Sequence, residues 1–192
     1  MAIPTTIGGP TSALPRRRFT VSEYYKLAEA GILTEDDRVE LIEEDLIEMT
    51  PIGRRRAAAV DRADDVFRAV LGARARVRIQ NPIRLAEDTE PQPDVTVCQP
   101  REYEDGHPTP ADIFLVVEVA DSRVERERVK LLVYARAGVR EAWLVDLTTS
   151  TIEVHRGPAQ DGYRTLHRLR RDDTVTIEAF PDLQFSASSI LR

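Results

Sequence analysis

The sequence predicts an α/β (α+β) fold, in which a βαβ unit is followed by short strands. Residues 112–146 pass from a β-branched apolar run to a charged helical pattern and back to an apolar run, which indicates a βαβ unit. Short apolar stretches separated by turn-forming residues follow at 151–156, 163–169 and 174–177. They predict an antiparallel C-terminal extension of the sheet, whereas the βαβ pattern leaves open whether its own two strands are neighbours.

The length and composition of the chain favour one globular domain. A chain of 192 residues can bury a full hydrophobic core. Residues 1–18 are rich in Pro, Gly, Thr and Ser without periodicity, so we expect a flexible arm at 1–18 and a single domain at 19–192. The chain has no apolar run of bilayer-spanning length, no secretory h-region at its N-terminus and a single cysteine, Cys98. We therefore expect a cytoplasmic protein that does not enter a membrane and has no disulfide framework.

The charge distribution indicates which binding partners the surface favours. A formal net charge of −6 argues against non-specific nucleic-acid binding by the whole surface. Positive charge is nevertheless clustered at 16–18, 54–56, 74–78 and 168–171. Each cluster is either a solvated face or a local contact with an anion.

A helix and a hairpin open the predicted domain. Thr20 and Glu23 have the spacing of a capping box and predict a helix at 22–30. Residues 38–49 alternate between apolar and polar types around a turn, which predicts a β-hairpin. Glu40 lies in this hairpin among apolar neighbours, unlike the other acids there.

A second helix is predicted at 54–71, where apolar residues form one stripe and Gly72 follows as a stop. Its first turn holds three arginines, whose charge opposes the helix dipole. They favour an anionic partner nearby or a helix end with no partner, and the sequence does not separate the two. A strand is predicted next at 75–85, with Pro82 marking a bulge or an edge position.

Two predicted strands carry isolated acids. Asp94 opens a short β-branched strand, and Glu118 lies within the apolar strand at 113–119. Simple alternation places Glu118 on one face with Phe114 and Val116. Because the residues on both faces of the strand are apolar, neither face would expose this carboxylate to water. A buried carboxylate must be neutralised, paired or bound to a metal ion.

A charged helix follows and carries Lys130. Asp121 and Ser122 supply helix-start chemistry, and Gly138 ends the helix before a strand at 142–147. Lys26 and Lys130 are the only lysines among 27 basic residues. Because a lysine proton can be moved at working pH and an arginine proton cannot, Lys130 hints at lysine-specific chemistry. A surface lysine left by chance is the alternative.

Glu40, Asp94, Glu118 and Lys130 together form a candidate site. Adjacent strands could bring the carboxylates together, and carboxylate oxygens on rigid strands suit Mg²⁺ or Mn²⁺. Such an ion with a nearby ammonium can hydrolyse a phosphodiester. Structural ion pairs explain the same residues if no ion binds.

Four stretches carry a family resemblance: PQPDVTV, EVADS, VKLLVYARAGVREAWLVDL and the N-terminal VELIEEDLIEMTPIG. They resemble the Uma-type putative restriction endonuclease family of the PD-(D/E)XK nuclease superfamily. The similarity spans residues 18–190 and is strongest at 91–147. It implies a restriction-endonuclease-like core with a mixed β-sheet flanked by helices and an antiparallel C-terminal extension.

The resemblance also implies site roles. Asp94 and Glu118 match the metal-binding acids, Glu40 matches an added ligand or orienting acid, and Lys130 replaces the superfamily lysine that would stand at Ala120. The chain departs from the family where the turn at 43–45 lacks glycine and where Arg56 stands in place of a frequent histidine.

The implied function is a Mg²⁺- or Mn²⁺-dependent DNA endonuclease that hydrolyses phosphodiester bonds through metal-activated water and acts as a homodimer. One alternative is a catalytically inactive member of the same fold that binds nucleic acid or protein. A third reading is an enzyme that acts on another phosphoester, such as a nucleotide.

Overall fold

The structure, a computed structural model, describes residues 17–34, 36–122 and 124–191. The arm predicted at 1–18 lies outside the described residues except for Arg17 and Arg18, which form ion pairs with Glu23 and Glu44. The helices and strands, in chain order, are α1 (Val21–Glu29), β1 (Val39–Ile42), β2 (Asp45–Glu48), α2 (Arg54–Leu71), β3 (Arg76–Ile79), β4 (Val95–Cys98), β5 (Ile113–Ala120), α3 (Val124–Arg136), β6 (Glu141–Asp146), β7 (Thr151–Ala159), β8 (Gly162–Leu169), β9 (Thr174–Ile177) and β10 (Phe180–Ser186).

A six-stranded mixed sheet forms the centre of the molecule, in the order β3-β4-β5-β6-β7-β8. β5 and β6 are parallel neighbours joined by α3, and the other adjacent pairs are antiparallel. The mixed sheet and its flanking helices confirm the predicted fold class. β7 and β8 provide the antiparallel extension, whereas β9 pairs with β10 in a separate hairpin.

Each face of the sheet packs against one helix. On one face, Ala63 and Phe67 of α2 pack into a core that contains Val117 and Trp143, with 5.7 Å between the Phe67 and Trp143 ring centres. On the other face, α3 contributes apolar side chains to a smaller core against β5 and β6. Burying side chains of this size stabilises the fold by about 1.5–3 kcal/mol each. Among the described residues, the helices are not long and apolar enough to cross a membrane.

The N-terminal elements follow their local signals. The Thr20 hydroxyl accepts from the Glu23 amide at 3.2 Å while the Glu23 carboxylate accepts from the Thr20 amide at 3.0 Å, so the predicted capping box is present. The β1–β2 turn is made by Glu43 and Glu44 with φ of 47° and 73°. Glycine adopts such angles more easily, so two glutamates make this a strained turn.

Two strands differ from simple expectation. The predicted strand at 75–85 is paired only over β3, because Gln80 has a φ of 48° and Pro82 cannot donate to a neighbour. In β5 the register against β4 shifts near Phe114, whose ring packs against Phe180 on the α2 face at 5.1 Å. Phe114 therefore does not share a face with Val116, which belongs to the α3 side.

Candidate functional site

Six charged side chains meet where β4 begins and β5 ends. We call them the acidic cluster, which comprises Glu40 of β1, Arg56 of α2, Asp94 before β4, Glu118 of β5 and the α3 residues Glu127 and Lys130. The four residues singled out from the sequence all belong to it. Arg56 and Glu127 are additional members.

Strand pairing places Asp94 beside Glu118. Val95 of β4 pairs with Val117 of antiparallel β5, so the residue before Val95 lies opposite the residue after Val117. The Val119 amide donates to Asp94 Oδ2 at 2.9 Å and fixes that carboxylate against the end of β5. Asp94 is 2% exposed and Glu118 is fully buried, so both carboxylates have been removed from water.

Glu40 reaches the cluster because the β1–β2 hairpin pairs with the segment before β4. Leu41 forms an isolated bridge with Glu90, and the Glu90 amide donates to the Leu41 carbonyl at 2.7 Å. Two residues later the Gln92 amide donates to Glu40 Oε2 at 3.0 Å. The hairpin thus holds Glu40 with one oxygen already engaged by the backbone.

Lys130 joins two of the carboxylates. Its Nζ lies 2.8 Å from Glu118 Oε1 and 3.2 Å from Glu40 Oε2. Burial on its own lowers the pKa of Lys130, but the attraction of Glu118, Glu40 and Glu127 prevails and raises it. Lys130 is therefore a buried, charged ammonium and not a surface lysine left by chance.

The inner face of α3 holds two residues that the sequence reading missed. Glu127, Lys130 and Tyr134 are spaced by three and four residues, so they share one face of the helix. The Tyr134 hydroxyl donates to Glu118 Oε1, the same oxygen that Lys130 contacts. The helical spacing around Lys130 was the signal that could have identified both residues.

Arg56 is one of the three arginines in the first turn of α2, for which the sequence left open whether an anionic partner lies nearby. Its Nε and Nη2 donate to Asp94 Oδ2 at 3.0 and 2.8 Å, and its Nη1 lies 3.3 Å from Glu127 Oε1. Its neighbour Arg55 instead donates to the Leu147 carbonyl at 2.9 Å. For Arg56, the anionic partner is thus the protein's own acidic cluster.

The electrostatics of Glu118 are unusual for a glutamate. Burial, followed by the charges of Glu127, Asp94 and Glu40, raises its pKa to about 8 against the opposing effect of Lys130. Oε1 accepts from Tyr134 and Lys130, whereas Oε2 accepts no hydrogen bond from any described residue. Burial also raises the pKa of Glu127, against the opposing charges of Lys130 and Arg56.

This pKa predicts how stability depends on pH in the metal-free protein. The pKa of Glu118 is about 8 in the folded state, against roughly 4.3 for an unperturbed glutamate. A group with a raised folded pKa contributes stability at low pH that is lost as pH rises through the folded value. We expect the unfolding free energy of the wild type, measured by urea titration in EDTA, to fall relative to that of Glu118→Gln between pH 5 and pH 8. Parallel curves for the two proteins over that range would contradict the assignment.

The donor set suits a hard divalent ion held by few protein ligands. Glu118 Oε2, which accepts no hydrogen bond from the described residues, and the Asp94 carboxylate offer oxygen ligands. Mg²⁺ keeps several waters when one or two carboxylates hold it. Within residues 17–34, 36–122 and 124–191, no three His, Cys, Asp or Glu side chains are grouped closely enough to hold a metal. Glu40 is thus not gathered into one ligand group with Asp94 and Glu118, and it contacts Lys130 instead.

Access to the acidic cluster is narrow. Two cavities of about 20 and 30 Å³ border it, and both are lined by Thr50, Arg56, Arg126 and Glu127. Each has room for one or two waters and none for a phosphate group. The Arg126 guanidinium donates to the Thr50 hydroxyl at 2.8 Å, and both residues line the two cavities.

Comparisons with known proteins agree with this architecture. The Uma2 family model, described as putative restriction endonuclease, matches residues 21–188. A crystal structure of a putative nuclease belonging to DUF820 from Anabaena variabilis superposes with a TM-score of 0.70 at 20% identity, over 90% of this chain and 97% of that one. No curated protein matches the sequence. At this identity the superposition establishes a shared fold.

Proposed function

Because the chain belongs to the Uma2 family of putative restriction endonucleases, we propose that it is a metal-dependent endonuclease that hydrolyses phosphodiester bonds in DNA. The observation that carries the proposal is the meeting of Asp94 and Glu118 at adjacent strand ends, with the Lys130 ammonium 2.8 Å from Glu118. Two acids and a cation around one point match the needs of phosphodiester hydrolysis.

In this mechanism Asp94 and Glu118 would hold Mg²⁺ or Mn²⁺. When bound, the ion would lower the pKa of a coordinated water and neutralise charge on the phosphoryl group. Lys130 would supply a fixed positive charge for the phosphate, because its pKa is raised and it stays protonated. Glu40 would act as the orienting acid, since it holds Lys130 Nζ at 3.2 Å while the Gln92 amide fixes the carboxylate. Tyr134 would keep Glu118 in place through Oε1.

An arginine-lined groove supports DNA as the substrate. The outer edge of β3 borders a cavity of about 770 Å³ lined by Arg68, Arg76, Arg78 and Asn81. Arg78 Nε is buried and donates to none of the described residues. Asn81 of the groove is followed back along the chain by Gln80, whose side-chain amide is 3.4 Å from Asp94 Oδ1 of the acidic cluster. Arg68 and Arg76 pair with Asp64 and Glu102, and guanidinium groups of this kind suit contacts with nucleic-acid phosphates.

A homodimer is part of the same proposal, because cutting both DNA strands favours two sites related by a two-fold axis. β8 is the last strand of the central sheet, and Leu166 on it is 46% exposed. Pairing of two β8 strands would join the sheets of two copies. A sizing measurement that finds only monomer at micromolar concentration would rule this arrangement out.

The direct test is plasmid cleavage. We expect purified protein to convert supercoiled plasmid to nicked or linear forms with Mg²⁺ or Mn²⁺, and to lose this activity in EDTA. Because phosphate contacts release counterions, DNA affinity should also fall steeply between low and physiological salt. Plasmid that stays supercoiled with either metal, over a range of protein and salt concentrations, would reject the proposed activity.

A non-catalytic DNA- or protein-binding role is the second candidate. The observation in its favour is that all four carboxylates of the acidic cluster already contact a guanidinium or an ammonium. If those ion pairs are purely structural, calorimetry should detect no binding of Mg²⁺ or Mn²⁺. Binding that disappears in Asp94→Asn would favour the nuclease instead.

A further inference from the structure

Arg56 lies where its guanidinium faces both carboxylates proposed to hold the metal. Nη2 is 2.8 Å from Asp94 Oδ2 and 3.8 Å from Glu118 Oε2. Nε lies 3.0 Å from Asp94 Oδ2 and 3.3 Å from Asp94 Oδ1, so both oxygens of that carboxylate face the guanidinium. The Arg56 side chain thus supplies Asp94 with the positive charge that this acid would otherwise take from an ion.

A divalent ion cannot bind Asp94 while the Arg56 guanidinium occupies this position. Mg²⁺ lies about 2.1 Å from its oxygen ligands and requires near-octahedral geometry around itself. Asp94 Oδ2 already accepts from Nε, Nη2 and the Val119 amide, which leaves little room for a metal bond. Two cations on one carboxylate also repel strongly where water is scarce. The metal can engage Asp94 only if Arg56 gives up that contact.

The position of Arg56 also allows its side chain to move away from Asp94. Its side chain is 19% exposed and lines both small cavities that border the acidic cluster. Its Nη1 retains Glu127 as a second partner on the outer side, at 3.3 Å. A rotation away from Asp94 would therefore keep one ion pair while freeing two carboxylates.

We propose that Arg56 is a built-in competitor that occupies the metal position in the free protein and weakens its affinity for divalent ions. The inference rests on the proposed function, since it assigns the metal to Asp94 and Glu118. It explains how Asp94, buried beside Glu118, is neutralised without an ion. It also makes metal loading depend on displacement of one side chain.

The test is the affinity for Mn²⁺ of the free protein, measured by calorimetry and by the electron paramagnetic resonance signal of unbound Mn²⁺. We expect Arg56→Gln to bind Mn²⁺ at least about tenfold more tightly than the wild type, a typical size for coupling between two sites. The matched control is Arg55→Gln, because Arg55 is in the same helical turn but contacts the Leu147 carbonyl. Its affinity should equal that of the wild type.

Adding Asp94→Asn to Arg56→Gln should abolish the gain. Equal or weaker Mn²⁺ binding by Arg56→Gln, or a gain that survives Asp94→Asn, would overturn the inference. If Arg56→Gln fails to fold, Arg56→Lys keeps the charge but loses the two-nitrogen contact with Asp94, and its affinity should still exceed that of the wild type. Wild-type affinity in Arg56→Lys would count against the inference in the same way.

The outcomes separate this inference from the proposed function. Plasmid cleavage by the wild type without tighter Mn²⁺ binding by Arg56→Gln would reject the competitor role alone. Tighter, Asp94-dependent Mn²⁺ binding by Arg56→Gln, together with intact plasmid under all conditions, would reject the nuclease alone.

Discussion

Asp94→Asn should reduce DNA cleavage by roughly 10³-fold or more, the scale expected when a ligand of a catalytic metal or a key charge-stabilising group is removed. The asparagine oxygen can still accept from the Val119 amide, which lies 2.9 Å from Asp94 Oδ2. The change removes the charge that would attract the ion while it keeps the size of the side chain. The initial rate of supercoiled-plasmid cleavage in Mg²⁺ measures the effect.

The matched control for this substitution is Asp112→Asn. Asp112 precedes β5 at the end opposite Glu118, and its carboxylate accepts from the Thr109 amide at 3.0 Å and from Arg101 at 2.8 Å. Among the described residues its side-chain partners are Thr109 and Arg101, which lie outside the acidic cluster. The cleavage rate of Asp112→Asn should therefore stay close to that of the wild type. Equal cleavage by Asp94→Asn and the wild type would remove Asp94 from the mechanism. Thermal unfolding of both variants checks that any loss of activity is not loss of fold.

The central elements were predictable because their signals are local. The βαβ pattern at 112–146 gives β5, α3 and β6, since long apolar strands and a helix bounded by capping residues and Gly138 have distinct periodicities. That β5 and β6 are adjacent and parallel was left open by the sequence, because adjacency depends on packing of α3 against both strands. β10 was missed because Pro181 and Asp182 interrupt its apolar pattern, and its pairing with β9 shifts register there.

The candidate site was predictable in its residues but only partly in its contacts. Glu118 stood out because it is a carboxylate within an apolar strand. Lys130 stood out because lysine is rare in this arginine-rich chain. The partner of Arg56 could not be inferred, because Asp94 lies 38 residues away and the contact depends on how α2 packs against β4. The arginines that oppose the dipole of α2 were compatible with an anionic partner or with a helix end that has none.

Lys130→Met should cause the largest loss of stability of any single change in the acidic cluster. The substitution leaves Glu40 and the ionised fraction of Glu118, whose pKa is about 8, buried without their shared ammonium. Breaking a buried ion pair in this way costs about 3–5 kcal/mol. Part of the loss should be recovered at low pH, because protonation removes the uncompensated charge. Urea unfolding at pH 8 and pH 5 measures both effects, and plasmid cleavage should be lost as well.

The chain contains its own control, because Lys26 is the other of its two lysines and lies exposed on α1. Lys26→Met should change the unfolding free energy by less than about 0.5 kcal/mol, as exposed substitutions usually do. In the double variant Lys130→Met with Glu118→Gln, the charge of Glu118 is removed together with its partner, so the unfolding free energy should be higher than in Lys130→Met alone. If Lys130→Met is as stable as Lys26→Met, the ammonium does not compensate the buried carboxylates. The electrostatic account of the cluster would then fail, because Lys130 would not be offsetting a buried negative charge.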